Sequence, residues 1–294
     1  MDVREKYIEA GKIAAQALRH ASKYVKIGNK LLEATEQAEN KILDLGGEFA
    51  FPPQFSFNEV AAHNCADPDD KTEFKKGDLV KVDVGAMVDG YIGDNALTVD
   101  LGDNEKLVKA SREALNNALK IVSPGVTLSE IGKTIHETIV KYDYAPVRNL
   151  SGHGLDQYLY HDKPSIPNFD TGDETKLEEG KVIAIEPFAS AGAGIIFESS
   201  NANIFSIRQK KPVRNKITRD ILREIDNFKE MPFTTRWLTK KFHPGKVRFA
   251  LRELRQKNII NEYPPLPDRN KGLISQAEHT VIVEEDPIIT TKID

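Results

Sequence analysis

The sequence predicts an α+β fold that is interrupted late by a helical insert. Three observations point to it. Helical and strand periodicities are mixed through residues 2–205. A basic stretch over 216–257 then reads as helix alone. A strand pattern from Ile274 to Val283 follows, and it must return to the earlier sheet, because alone it could bury little.

Residues 2–45 read as helix. Ile8, Ile13, Ala14, Leu18, Val25, Leu31, Leu32, Ala38 and Ile42 recur near helical spacing, with Gly28 as a break and Gly46-Gly47 as the stop. Residues 48–65 carry Pro52-Pro53 and end in Ala61-Ala62-His63-Asn64. Residues 80–88 and 91–101 read as two strands around Asp89-Gly90, a turn that needs positive φ at both central positions. Helices are expected over 104–121 and 127–142, separated by Ser123-Pro124-Gly125. Strands and loops fill 145–205, including the stretch Leu150-Ser151-Gly152-His153-Gly154-Leu155 and the run Val182-Ile183-Ala184-Ile185-Glu186-Pro187-Phe188. The basic helices, two or three in number, break at Met231-Pro232 and His243-Pro244-Gly245, and Tyr263-Pro264-Pro265 ends them. The last strand contains Ala277-Glu278-His279-Thr280.

A chain of 294 residues, 39% hydrophobic, can bury a substantial core. Its apolar runs are far too short to span a bilayer. The charged N-terminus, Met1 to Lys6, argues against a secretory signal. The single cysteine, Cys65, excludes an internal disulfide framework and a cysteine-based zinc ribbon, so a reducing cytoplasm is expected. Residues 207–257 hold 16 Lys/Arg and 5 Asp/Glu, a net of +11, which leaves −15 on the remainder. That asymmetry predicts two modules or a basic docking face.

The aspartates at 83 and 94 carry the strongest chemical signal. A regular hairpin sets Asp94 opposite Gly85 and Asp83 opposite Ala96, so the two aspartates share a face as diagonal neighbours, about 7–8 Å apart at the backbone. Gly85 is expected to leave the space beside Asp94 empty. Two buried carboxylates without partners would force one to neutralise. A divalent cation removes the conflict. A surface pair of aspartates is the alternative, and the Val-rich flanks argue for burial.

Other residues extend the set. His153 lies between two glycines, either as a turn histidine or as a ligand whose neighbours permit close backbone approach. Glu186 ends an apolar strand, and Glu278 enters one. Together Asp83, Asp94, His153, Glu186 and Glu278 form an oxygen-rich set with one imidazole, suited to paired Mn, Fe, Co or Zn ions. His136-Glu137 lacks the second histidine of a zincin helix, and there is no Gly-x-Ser-x-Gly elbow or phosphate-binding loop. Cys65 reads as a small buried hydrophobe, and His279, next to Glu278 on a strand, faces the other way.

The ordered series Ala61-Ala62-His63, Val82-Asp83-Val84-Gly85, Asp94, Gly152-His153-Gly154, His161, Ile185-Glu186-Pro187-Phe188 and Glu278-His279-Thr280 resembles the methionine aminopeptidases of the pita-bread fold. The stretch between Glu186 and Glu278 looks like the insertion of the type 2 branch, in its archaeal form. The resemblance implies a catalytic unit of residues 1–205 and 272–294. Residues 206–271 would be an inserted, winged-helix-like subdomain.

The resemblance also implies roles. Two divalent ions are expected, with Asp83 on one, Asp94 and Glu278 bridging, and His153 and Glu186 on the other. His63 and His161 would contact the scissile amide. Phe51, His161 and Tyr263 would line the methionine pocket. The ions would lower the pKa of a shared water from about 15.7 toward about 7, and the hydroxide would attack the first peptide bond. Glu186 would shuttle the proton to the leaving amine. A small second substrate residue, a monomeric cytoplasmic enzyme and a ribosome contact through the basic insert are expected, with no membrane partner. A prolidase-like Xaa-Pro peptidase shares the ligand set, but such enzymes carry a sizeable domain before the first aspartate. A ligand-free nucleic-acid or ribosome-binding relative is the non-enzymatic alternative.

Overall fold

The computed structural model describes residues 1–199 and 201–292. Asp2 and Glu5 form a capping box that starts α1 (Val3–Ser22). Gly28, at φ +87°, sits in the turn that separates it from α2 (Leu31–Asp44). Strands β1 (Glu48–Phe49), β2 (Gln54–Phe57), β3 (Leu79–Val88) and β4 (Tyr91–Asp100) follow. β3 pairs with β1 and β2 on one side and with β4 on the other, all antiparallel. The β3–β4 turn has φ +51° at Asp89 and +86° at Gly90, and its register sets Gly85 opposite Asp94 and Asp83 opposite Ala96, as the sequence predicts. Strand alternation then divides β3. Val80, Val82, Val84 and Ala86 pack with Ile13, Ala14, Ala17 and Leu18 of α1 and Ala34, Ala38 and Ile42 of α2. Asp83 and Gly85 point the opposite way. α1 comes unusually close to β4: a Cβ on Gly93 would lie 2.4 Å from the Gly11 nitrogen.

The next elements are α3 (Glu105–Ile121), α4 (Leu128–Val140), β5 (Ala145–Pro146), β6 (Ser151–Asp156), β7 (Leu159–Pro167), β8 (Val182–Ile185) and β9 (Phe188–Ser190). A second segment holds β10 (Ile204–Ile207), α5 (Lys216–Ile225), β11 (Phe233–Thr234), α6 (Thr235–Thr239), α7 (Pro244–Gln256) and β12 (Ile260–Tyr263). The chain then forms β13 (Ile274–Gln276), β14 (His279–Ile282) and β15 (Ile288–Ile289). A five-stranded antiparallel sheet runs β15-β14-β8-β6-β7, and α3 and α4 cover one face, with Leu115, Ile131, Ile135 and Ile139 against Ile183, Ile185 and Val281. The uncovered faces of the two large sheets meet, where Met87 and Ile92 join Val182, Ala184 and Ile282 in one apolar cluster.

The strand predicted over 274–283 is two strands. β13 pairs with β9 and β14 with β8, and the change falls at Ala277-Glu278. β8 and β9 are themselves separated by Glu186-Pro187, where proline removes a ladder donor. The two interruptions lie opposite each other, since Gln276 pairs with Phe188 and His279 with Ile185. Glu186 and Glu278 therefore leave their ladders at the same level.

Residues 204–263 fold around a core of their own that includes Phe205, Ile221, Ile225, Phe233, Leu238, Val247, Leu254 and Ile259. Their three-stranded sheet runs β11-β10-β12. A buried pair, Glu39 of α2 with Arg236 of α6, ties this unit to the first helices, and Trp237 Nε1 also donates to Glu39. Among the described residues, no helix is long and apolar enough to cross a membrane.

Candidate metal centre

Five residues converge between the two large sheets. Asp83 and Asp94 lie on the β3–β4 face turned away from α1 and α2, and both are buried. His153 sits at a register shift between β6 and β7. Its flanking glycines have no room for side chains: a Cβ on Gly152 would lie 2.2 Å from the Ala184 carbonyl oxygen, and one on Gly154 2.2 Å from that of Lys163. Glu186 and Glu278 reach in from the two strand interruptions. His153 Nε2 is 3.8 Å from Asp94 Oδ2 and 3.8 Å from Glu186 Oε1. One donor atom each from Asp94, His153 and Glu278 fall within 4.8 Å of one another.

The electrostatics of this cluster favour a bound cation. Asp83 Oδ1, both Asp94 oxygens and Glu278 Oε2 are buried and accept no hydrogen bond. Burial pushes Asp83 up to about 7, against a hydrogen bond from Gln276. Burial, and then the neighbouring carboxylates, raise Asp94, Glu186 and Glu278 well above the ordinary carboxylate range. His153 cannot supply the missing charge, because burial lowers it to about 4. Its Nδ1 lies 3.2 Å from the Gly154 carbonyl, an acceptor only, so Nδ1 carries the proton and Nε2 presents a lone pair. A lone pair facing two carboxylates is repelled unless a proton or a cation stands between, and a divalent cation serves all of these groups at once. The donor set of four carboxylates and one neutral imidazole therefore fits divalent metal, and the Gly154 carbonyl orients the imidazole.

A cavity of about 350 Å³ opens beside the cluster, lined by Asp83, Glu186, His153, His63, His161 and Tyr160, among others. His63 adopts φ +66°, its N–H donates to Gln54 Oε1 at 2.6 Å, and its Nδ1 lies 3.2 Å from the Pro264 carbonyl. Burial lowers it to about 4. The His161 ring lies 4.5 Å from that of His153, edge to face, and burial lowers its pKa. Tyr160 and Gln54 stand on the cavity wall without having been expected there, since neither carries a sequence signal of its own.

Two expectations change. The space beside Asp94 is not empty: a Cβ on Gly85 would lie 2.1 Å from Phe51 Cε1, so the Phe51 ring fills it. Phe51 is also fully buried and packs at a tilt behind Tyr160, at 4.8 Å between ring centres, and is not among the residues lining the cavity. Tyr263 meets His63 edge to face at 5.6 Å and lines an adjoining cavity that shares His63, Asn149 and Leu150 with the first. Cys65 is buried with its thiol pushed up to about 11, which makes it inert as a nucleophile. His279 turns away and bonds Thr291 Oγ1 at 2.8 Å.

The profile of metallopeptidase family M24 matches residues 5–223. This chain belongs to metallopeptidase family M24. The family is one of divalent-metal hydrolases, which agrees with the donor set. The methionine aminopeptidase of Archaeoglobus fulgidus is 48% identical over 99% of both chains. The crystal structure of the Thermotoga maritima methionine aminopeptidase superposes with a TM-score of 0.72 at 25% identity, covering 98% of this chain and 96% of that one. A thermophilic Arx1 superposes with a TM-score of 0.86 at 18% identity, covering 99% and 90%, and speaks for the fold alone. The M24 chain thus has the pita-bread fold.

Proposed function

We propose that the protein removes the N-terminal methionine from nascent polypeptides in the cytoplasm, with a preference for a small second residue. The observation that carries this reading is the group of buried carboxylate oxygens without hydrogen bonds around the His153 lone pair, at the wall of a cavity that also holds His63 and His161. The methionine aminopeptidases of Archaeoglobus fulgidus and Thermococcus onnurineus match along nearly the whole of this chain.

Asp83 would hold one ion, Asp94 and Glu278 would be shared, and His153 with Glu186 would hold the second. When bound, the pair supplies a Lewis acid for the first peptide carbonyl and a water acidic enough to ionise near neutral pH. Protein groups do the rest. The substrate's free amino group would sit at the centre, beside Asp83 and Glu186 on the cavity wall, which would limit cleavage to the first residue. His63 is neutral, with its Nδ1 proton given to the Pro264 carbonyl, so its Nε2 accepts the scissile N–H. His161, also neutral, donates to the developing oxyanion. Gln276 holds Glu186 Oε2 at 3.4 Å, which leaves Oε1 to pass a proton to the departing amine. Tyr160 and His161 would contact the methionine side chain, with Phe51 behind them and Tyr263 bracing His63.

Residues 1–205 with 272–294 would act as the catalytic unit and 206–271 as a docking subdomain. Lys240 and Lys241 already face Glu39 and Glu224, at 3.6 and 2.6 Å. Lys246, Arg248 and Arg252 on α7 are exposed and, among the described residues, within ion-pair distance of no carboxylate. They would make the phosphate contacts on the ribosome.

The test is a peptide panel on metal-loaded protein. Met-Ala-Ser should be cleaved after methionine, and Met-Leu-Ser and Ala-Pro peptides should not. Asp94→Ala should remain folded and lose metal with activity. Turnover of Ala-Pro but not Met-Ala-Ser would replace this reading with the prolidase one.

A further inference from the structure

β4 pairs with β3 along one edge only. Along its other edge runs the segment Gln276–Thr280, antiparallel to it, yet among the described residues their main chains bond directly once, where the Glu278 N–H donates to the Ala96 carbonyl at 2.9 Å. A threonine hydroxyl replaces the missing main-chain bonds on each side of that contact. Thr280 Oγ1 accepts from the Asp94 N–H and donates to the Asp94 carbonyl, both at 2.8 Å. Thr98 Oγ1 does the same in the opposite direction: it accepts from the Gln276 N–H at 2.8 Å and donates to the Gln276 carbonyl at 2.7 Å.

The substitution has a cause. The Thr280 main chain is already taken, its N–H by Thr291 Oγ1 at 3.1 Å and its carbonyl by the Thr290 N–H at 3.0 Å. Only its side chain can reach β4. Both threonines are buried, Thr280 completely. Each hydroxyl spends its proton and a lone pair on one residue across the seam. Three rungs in a row therefore fix Asp94, Glu278 and, through the Gln276 amide, Glu186 relative to one another. These residues come from strands of different sheets, and nothing in either ladder alone would set their spacing.

We propose that Thr280 and Thr98 are positioning residues that set the separation of the metal-holding carboxylates, and so the affinity of the centre. This rests on the metal-centre reading of the site. Valine has the shape of threonine but would leave the Asp94 N–H and carbonyl buried without partners. The main chain there would move, and the carboxylate with it.

The experiment is titration of the metal-free full chain with Mn²⁺ by calorimetry, with the visible spectrum of the Co²⁺ form as a second readout. Thr280→Val is expected to weaken Mn²⁺ binding about 10- to 100-fold and to alter the Co²⁺ spectrum. Thr280→Ser, which keeps the hydroxyl, should recover most of the affinity. Ile135→Val, a core truncation under α4, should lower Tm and leave the affinity alone, which separates positioning from general loosening. Folded Thr280→Val with wild-type affinity overturns the proposal. Should Thr280→Val not fold, Thr98→Val decides: about tenfold weaker binding upholds the proposal, and unchanged binding overturns it. Asp94→Asn in the same titration guards the premise. If it binds Mn²⁺ like wild type, the metal-centre reading itself fails.

Discussion

His63 is held by three features at once: a left-handed backbone, the Gln54 side chain on its N–H and the Pro264 carbonyl on its ring. None of them involves a carboxylate of the cluster. His63→Ala should therefore keep its full metal content by elemental analysis while kcat falls on the order of 10²-fold, the loss expected when a reacting group is no longer positioned. Metal loss in that variant would contradict the role. Because burial sets His63 near 4, below the ordinary 6.5, its protonation should not limit activity until pH falls below about 5. At this scale much was legible. Asp83, Asp94 and the glycines around His153 declare themselves through strand alternation and turn chemistry, which are local rules. Gly85 misled because its space is filled by Phe51, from 34 residues earlier, and no local rule says which distant side chain will enter a gap. Gln54 and Tyr160 stayed hidden because their residue types are common in any fold.

The helices, the hairpin and the breaks of the basic segment follow from periodicity and from Gly and Pro positions, and the structure reproduces them, except that β11 (Phe233–Thr234) falls inside the stretch read as helix alone because it pairs with the distant β10. The division of the last strand was not legible, since it depends on Pro187 in the partner strand. The anchor of the 204–263 unit was not legible either, because Glu39 and Arg236 are 197 residues apart. That anchor is buried on both sides, each side chain 4% exposed. Arg236→Ala should destabilise the protein by up to about 3–5 kcal/mol in urea unfolding, since the buried Glu39 carboxylate then keeps only Trp237 Nε1 and the more distant Lys240. Hydrogen exchange should quicken in α6 and α7 before it does in β3 and β4. A loss below about 1 kcal/mol, as for an exposed pair, would show that Glu39 finds another partner.

The whole molecule is two sheet-and-helix halves with a charge problem between them. Without metal, Asp83, Asp94, Glu186 and Glu278 all have raised pKa values, so the stability they allow is present at low pH and lost as pH rises through their folded values, about 7 for Asp83. His63, His153 and His279, each lowered to about 4, act in the opposite sense, but only below their ordinary 6.5. Lys81, buried and lowered well below 10.5, offsets part of the loss at higher pH. Four carboxyls outweigh one lysine, so the Tm of the metal-free protein should fall as pH rises above about 6.5, where the histidines no longer act in the opposite sense. At 100 times Kd, Mn²⁺ should add about 2.7 kcal/mol, or roughly 5–10 °C. The gap between loaded and metal-free Tm in paired thermal scans should widen with pH, and a constant gap would mean that the carboxylates are already ionised without metal.

The rung between Asp94 and Thr280 joins residues 186 positions apart, across the whole basic segment. During synthesis the β3–β4 hairpin leaves first, with two of the five proposed donors, and the last of them follows only after residues 206–271 have been made. An unfinished chain can thus offer a metal ion at most a partial grip. The order of the sequence delays metal capture until the polypeptide can close around it, at the expense of a slow, long-range closing step in folding.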